Sequence, residues 1–112
     1  MDTQQLIAML NNGSVDFTKV MAVIDAEYQF TPTRFSNGEQ VNELGSNNGS
    51  CKIFAFARLH DLSSEATLNA FGEFYTVDVM TNPDGSDHAN IRNFMRSGWA
   101  GIYFDGETLR LK

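Results

Sequence analysis

One cysteine, two histidines and one dense run of polar side chains are the residues with chemistry to offer. Cys51 follows Asn48-Gly49-Ser50 and opens a mostly apolar segment. If Ser50 caps a helix there, Cys51 lies in its first turn, where unpaired backbone N–H groups and the helix dipole stabilise a thiolate. A nucleophilic cysteine also needs an imidazole within hydrogen-bond reach. His60 is nine positions further on, about 180° round the axis and roughly 13 Å along it, which excludes that pairing. Cys51 with His88 is therefore the catalytic candidate. Against it stands the preference of free cysteine for the protein interior, and an inert core thiol is the favoured reading. His60 shares a stripe with Ile53, Phe56 and Ala57 and reads as a structural imidazole tied to a nearby carbonyl or carboxylate.

The run Asp87-His88-Ala89-Asn90-Ile91-Arg92-Asn93 offers donors and acceptors opposite an Ile91 and Phe94 stripe, and amides at a helix start there can hold a carboxylate or small anion. It is no calcium loop: counted from Asp84, the sixth position is Ala89 rather than Gly and the twelfth is Met95 rather than Glu. Glycine-rich phosphate loops and a Ser/His/Asp arrangement are absent. No metal and no cofactor is expected. A second polar stretch, Ser36 to Ser50, carries Asn37, Asn42, Asn47 and Asn48 to the start of the apolar segment. The two stretches are expected to meet, with Asn48, Ser50, Lys52, His88, Asn90 and Arg92 lining one cleft beside Trp99. The alternative is that the asparagines serve only their own turns while His88 and Arg92 brace the loop.

The elements that must position these residues follow from spacing. Leu6, Ile7 and Leu10 mark a short helix from Thr3, stopped by a left-handed cap at Asn11-Asn12-Gly13. Ser14 caps a second helix with Asp16 in its first turn and the stripe Phe17, Val20, Met21, Ile24, Tyr28. Pro32 stops it, and Thr31 to Phe35 reads as an edge strand. Ser36 to Ser50 is too polar to bury a regular element and reads as a loop. Cys51 to His60 has apolar residues almost all round and should form the central, most buried helix. Ser63 caps a fourth helix that buries Leu68 and Phe71. Glu73 to Met80 is ambiguous and taken as helix. A further helix, capped at Ser86 or Asp87, buries Ile91, Phe94 and Met95 and ends at Gly98. Ile102-Tyr103-Phe104, Asp105-Gly106 and Glu107 to Leu111 form a hairpin pattern pairing Phe104 with Glu107 and Ile102 with Leu109. The expected fold is α+β: about five helices around a buried central helix, with a small antiparallel sheet ending in a C-terminal β-hairpin.

The whole chain, 1–112, fits one domain: 112 residues, 42% hydrophobic and only 2 Pro. A formal net charge of −6 disfavours phosphate backbones and anionic lipid surfaces, so neither nucleic acid nor membrane is an expected partner. One cysteine excludes an internal disulfide and fits a reducing compartment. The N-terminus lacks a secretory signal pattern, and a cytoplasmic location is expected.

Phe30-Thr31-Pro32-Thr33-Arg34-Phe35-Ser36-Asn37-Gly38, Asn48-Gly49-Ser50-Cys51-Lys52, Phe71-Gly72, and Asp87-His88-Ala89-Asn90-Ile91-Arg92-Asn93-Phe94-Met95 with Gly98-Trp99 stand in this order along nearly the whole chain. In these blocks the chain resembles the HopJ type III effector family. The resemblance implies a small bacterial protein of a family named for secreted effectors, and it transfers no reaction, ligand or catalytic residue. A helix beginning at Thr3 leaves no room for a disordered secretion tract, so a resident cytosolic protein is expected, with delivery to a host cell as the alternative for a true effector. The preferred function is a binding or interaction domain recognising a protein or small polar ligand. The alternative is a small enzyme using Cys51 and His88.

Overall fold

Asp2 starts the first helix: its carboxylate accepts the Gln5 N–H at 2.9 Å while the Gln5 side chain accepts the Asp2 N–H, a reciprocal cap. In the computed structural model, which describes residues 1–112, helix α1 runs Thr3–Asn12 and buries Leu6 and Leu10. Gly13 lies in extended backbone (φ 165°) rather than in the expected left-handed cap. Helix α2, Phe17–Glu27, is capped by Asp16, not Ser14, because the Asp16 carboxylate takes both the Thr18 N–H and its hydroxyl. Val20, Ile24 and Tyr28 are buried on its expected stripe.

The central helix α3 spans Asn48–Leu59 and buries Cys51, Ile53, Phe54, Phe56 and Ala57; Leu59, at its end, is exposed. Phe54 is the hub of the core, with the rings of Phe35, Phe71, Phe94 and Trp99 centred 5.0 to 6.4 Å away. Ser63 caps α4 (Ser64–Asn69) as expected. Residues Phe74–Val79 wind as a π-helix, and α5 (Ala89–Ser97) follows after the Pro83-Asp84-Gly85 turn. Its N-cap is His88 rather than Ser86 or Asp87, and it buries Asn90, Ile91 and Phe94 while Met95 stays exposed. The inward polar residue is thus Asn90.

The strands form two small antiparallel sheets. The expected Thr31–Phe35 strand is displaced to either side, as β1 (Tyr28–Phe30) and β2 (Phe35–Asn37), because Pro32 cannot donate to a ladder. The expected Ser36–Ser50 loop contains a hairpin instead: β2 pairs with β3 (Gln40–Asn42) around Gly38-Glu39. Gly38 has φ +60° at the first central position, which is what such a two-residue turn requires. The hairpin buries Asn37 and Asn42 beside the single apolar Phe35, so no hydrophobic alternation announces it. The C-terminal strand, turn and strand are present as β4 (Ile102–Phe104) and β5 (Leu109–Leu111). Their ladder bonds go outward, however: β4 pairs with β2 and β5 with β1. The Asp105 N–H bonds Arg34 O and the Thr31 N–H bonds Thr108 O, which replaces the expected pairing of Ile102 with Leu109. A lone two-stranded ribbon is marginal in water, whereas these partners bury both residues against α3.

Candidate functional site

The two polar stretches meet where α3 and α5 begin. Asn47 and His88, the residues preceding these helices, are both left-handed (φ 54° and 52°), and neither start has a side-chain cap. The first helical bonds are donated by Cys51 N–H to Asn47 O and Arg92 N–H to His88 O. The N–H groups of Asn48, Gly49 and Ser50, and those of Ala89, Asn90 and Ile91, therefore have no helical carbonyl to bond. Between the two starts lies a cavity of about 360 Å³, with Ser50, Gly49, His88, Ala89 and Asn90 among its lining and Phe17, Phe71 and Phe74 as apolar walls. Gly49 lets the Phe17 wall close against α3: a Cβ there would sit 2.7 Å from Phe17 Cζ.

Beneath the cavity is a buried amide network. Asn37 Nδ2 donates to Asn90 O (2.7 Å) and to Asn90 Oδ1 (3.1 Å). Asn42 Nδ2 donates to the same Oδ1 (3.1 Å), while Asn90 Nδ2 and Asn47 Nδ2 both donate to Asn42 Oδ1 (2.8 and 2.7 Å). Since a carbonyl only accepts, the Asn37 atom facing Asn90 O must be its amide nitrogen, and this leaves Asn37 Oδ1 buried without a partner. The network ties the β2–β3 hairpin to α5 and so fixes the cavity's floor.

Of the residues expected in one cleft, Ser50, His88 and Asn90 line this cavity. Asn48 is the exposed first residue of α3 and is not in its lining. Lys52 points elsewhere, bonding Asp25 at 2.8 Å and lying over the Phe30 ring. Arg92 clamps the preceding loop, donating to Asp87 O and Oδ1 (2.6 Å each) and to Asn82 O (2.8 Å). Its hydrogen bond and charge hold the Asp87 carboxyl below the usual carboxylate range. Trp99 is half-buried against the core, donating to Leu62 O and packing edge-on to Phe54 and Phe94. Spacing alone missed Gln40, Asn47, Gly49 and the phenylalanine walls; Asn37-Gly38, a hairpin signal, was the available clue to the first of these.

His88 bonds Asp78 Oδ2 at 3.0 Å, and its ring lies against Phe74 at 5.3 Å, which holds the π-helix to the start of α5. Cys51 does not occupy the free end of α3: the helix begins three residues earlier than expected, the thiol is 1% exposed and it donates to Thr33 O. Burial pushes that thiol up to about 11, opposite to the activation a nucleophile needs. His60 Nε2 shares a 2.5 Å hydrogen bond with the Tyr28 hydroxyl, so its partner is a phenol, and burial lowers its pKa.

These features describe a small α+β domain with a polar, amide-rimmed cavity between two helix starts. The chain belongs to the HopJ family: the family model described as HopJ type III effector protein matches residues 3–109. Among solved structures it is similar to the crystal structure of VPA0580, described as a protein of unknown function, with 48% identity, a TM-score of 0.96, and coverage of 100% of this chain and 95% of that one. No match was found among curated proteins. No helix is long and apolar enough to cross a membrane.

Proposed function

We propose that this domain binds a small polar ligand through an anionic group held between the starts of α3 and α5. One observation carries the reading: two helix starts, each lacking a side-chain cap, open onto the same cavity. Each start presents unpaired N–H groups and the positive end of a helix dipole, a combination that favours a carboxylate or phosphate. The Ser50 hydroxyl and Gln40 amide add neutral partners, and the aromatic walls suit an apolar body attached to the anion. A single buried thiol is compatible with a reducing compartment, whether the cytosol of the producing cell or, for a delivered effector, that of a host.

Titration of the isotope-labelled protein with inorganic phosphate and with succinate tests this. Amide resonances of Gly49, Ser50, Ala89 and Asn90 are expected to shift together and saturably. Ser50→Asp, which places a competing carboxylate in the first turn of α3, should abolish the shifts while leaving the fold intact. Shifts confined to surface lysines, or equal in the variant, overturn the reading.

A further inference from the structure

A second groove lies on the opposite face of α3, where the two sheets fail to join. Its walls are β4 and β5, its floor is Ala55, Arg58 and Leu59, and its volume is about 420 Å³. The ladder pattern says which backbone groups face it. Gly101 O and Arg34 O, bonded to Gly38 and Asp105, place the odd-numbered β4 backbone groups toward β2, so Ile102 and Phe104 turn theirs outward. By the same alternation Thr108 and Lys112 face β1, which leaves the N–H and C=O of Leu109 and Leu111 on the free edge of β5. The β4 edge is already partly taken, since Arg58 donates to Ile102 O. The β5 edge is open.

We infer that this groove receives an extended peptide segment carrying an acidic side chain, which adds to the free edge of β5 and places its carboxylate on Arg58. Three observations select that occupant. An unpaired strand edge is a template for another strand, and the short one open here borders large apolar side chains that stay in water: Leu59 is 53% exposed, Tyr103 66% and Leu111 67%. Thr108, a wall residue, keeps its hydroxyl buried without a partner, a group that a neighbouring strand would satisfy. Finally, in a chain of net charge −6 the groove is lined by one arginine and no carboxylate. Arg58 makes no ion pair, whereas the flanking Asp105 and Glu107 are held by Arg34 and Arg110. Main-chain pairing supplies affinity in this mode and the charge supplies selectivity.

The experiment selects random heptapeptides displayed on phage against the intact protein, then titrates the most enriched one as a synthetic peptide. The selected sequences should combine β-branched residues with a central Asp or Glu, and binding should slow hydrogen exchange at the Leu109 and Leu111 amides. Arg58→Glu should weaken binding about tenfold or more, and Tyr103→Ser, which touches no backbone contact of Arg58, should weaken it with the melting temperature unchanged. A pool without acidic enrichment, protection at the α3 and α5 starts instead, or equal binding by both variants overturns the inference. So does a concentration-dependent dimer abolished by Arg58→Glu, which would make the occupant a second copy of the chain.

Discussion

Asn90 and Arg92 stand two positions apart on α5 and enter opposite environments. Asn90 turns inward to the side chains of Asn37 and Asn42 with almost no water, while Arg92 turns outward to the loop before its own helix. Cys51 and His88 divide in the same way, the thiol sealed under Thr33 and the imidazole at the rim of the cavity. Polar residues in one short stretch therefore have two separate duties. The buried set holds the hairpin against α5, and the rim set shapes the space between the helix starts. The physical difference is solvent: a buried amide that loses its partner keeps the whole desolvation cost, whereas an exposed one is rescued by water.

The largest effect concerns Cys51. With the thiol covered and its pKa raised, alkylation by iodoacetamide at neutral pH should be about a thousandfold slower in the native protein than in urea, reporting opening of the core. Rapid stoichiometric labelling of native protein would break the comparison and restore a nucleophilic role with His88. Next comes Asn90→Ala. It strands the amide groups of Asn37 and Asn42, and should cost about 3 kcal/mol and lower the melting temperature by about 10 °C. Urea denaturation measures it, and a loss below about 1 kcal/mol would mean that water replaces the network.

Arg92→Ala should do less. Its ion pair with Asp87 is partly exposed, and exposed pairs contribute little, so a loss of about 1 kcal/mol is expected, chiefly from the carbonyl bonds. Hydrogen exchange should quicken in residues 82–87 while the α3 amides stay protected. A global loss as large as that of Asn90→Ala would erase the distinction between the two sets.

The sequence made the apolar elements legible and hid the polar ones. Phe54 and its neighbours announce a central helix, and the stripe through Val20 and Ile24 announces α2, because burial of large side chains leaves a period. The β2–β3 hairpin leaves none: beyond Phe35 its inward residues are Asn37 and Asn42, and polarity there reads as loop. The start of α3 was misplaced for a related reason, since its N-cap is a left-handed Asn47 rather than the Ser50 that capping preference suggests. Ser50, His88 and Asn90 were legible as one group because both stretches had more amide and imidazole than turns need. Lys52, Arg92 and Trp99 were drawn away by partners that spacing does not encode: Asp25, the loop carbonyls and Leu62 O.

The smallest effect sharpens the comparison through pH. The amide network carries no titrating group, so its contribution should be independent of acid. The Asp87 loop beside that rim does titrate. Hydrogen bonding and charge from Arg92 lower the Asp87 pKa from its ordinary 3.8, so the folded state holds this carboxylate ionised more firmly than the unfolded chain does. The contribution is complete above about pH 4 to 5 and is lost as the pH falls through the lowered folded value, because protonation is then favoured in the unfolded state first. Because both groups border solvent, the effect is a fraction of that of the buried network. Melting temperatures of the parent and Asp87→Asn between pH 2 and 7 check it: the gap should be constant above pH 5 and close toward pH 2. In an Asn90→Ala background the same gap should persist unchanged. If instead the gap disappears there, the rim and the buried network act as one unit, and the division between the two faces of α5 fails.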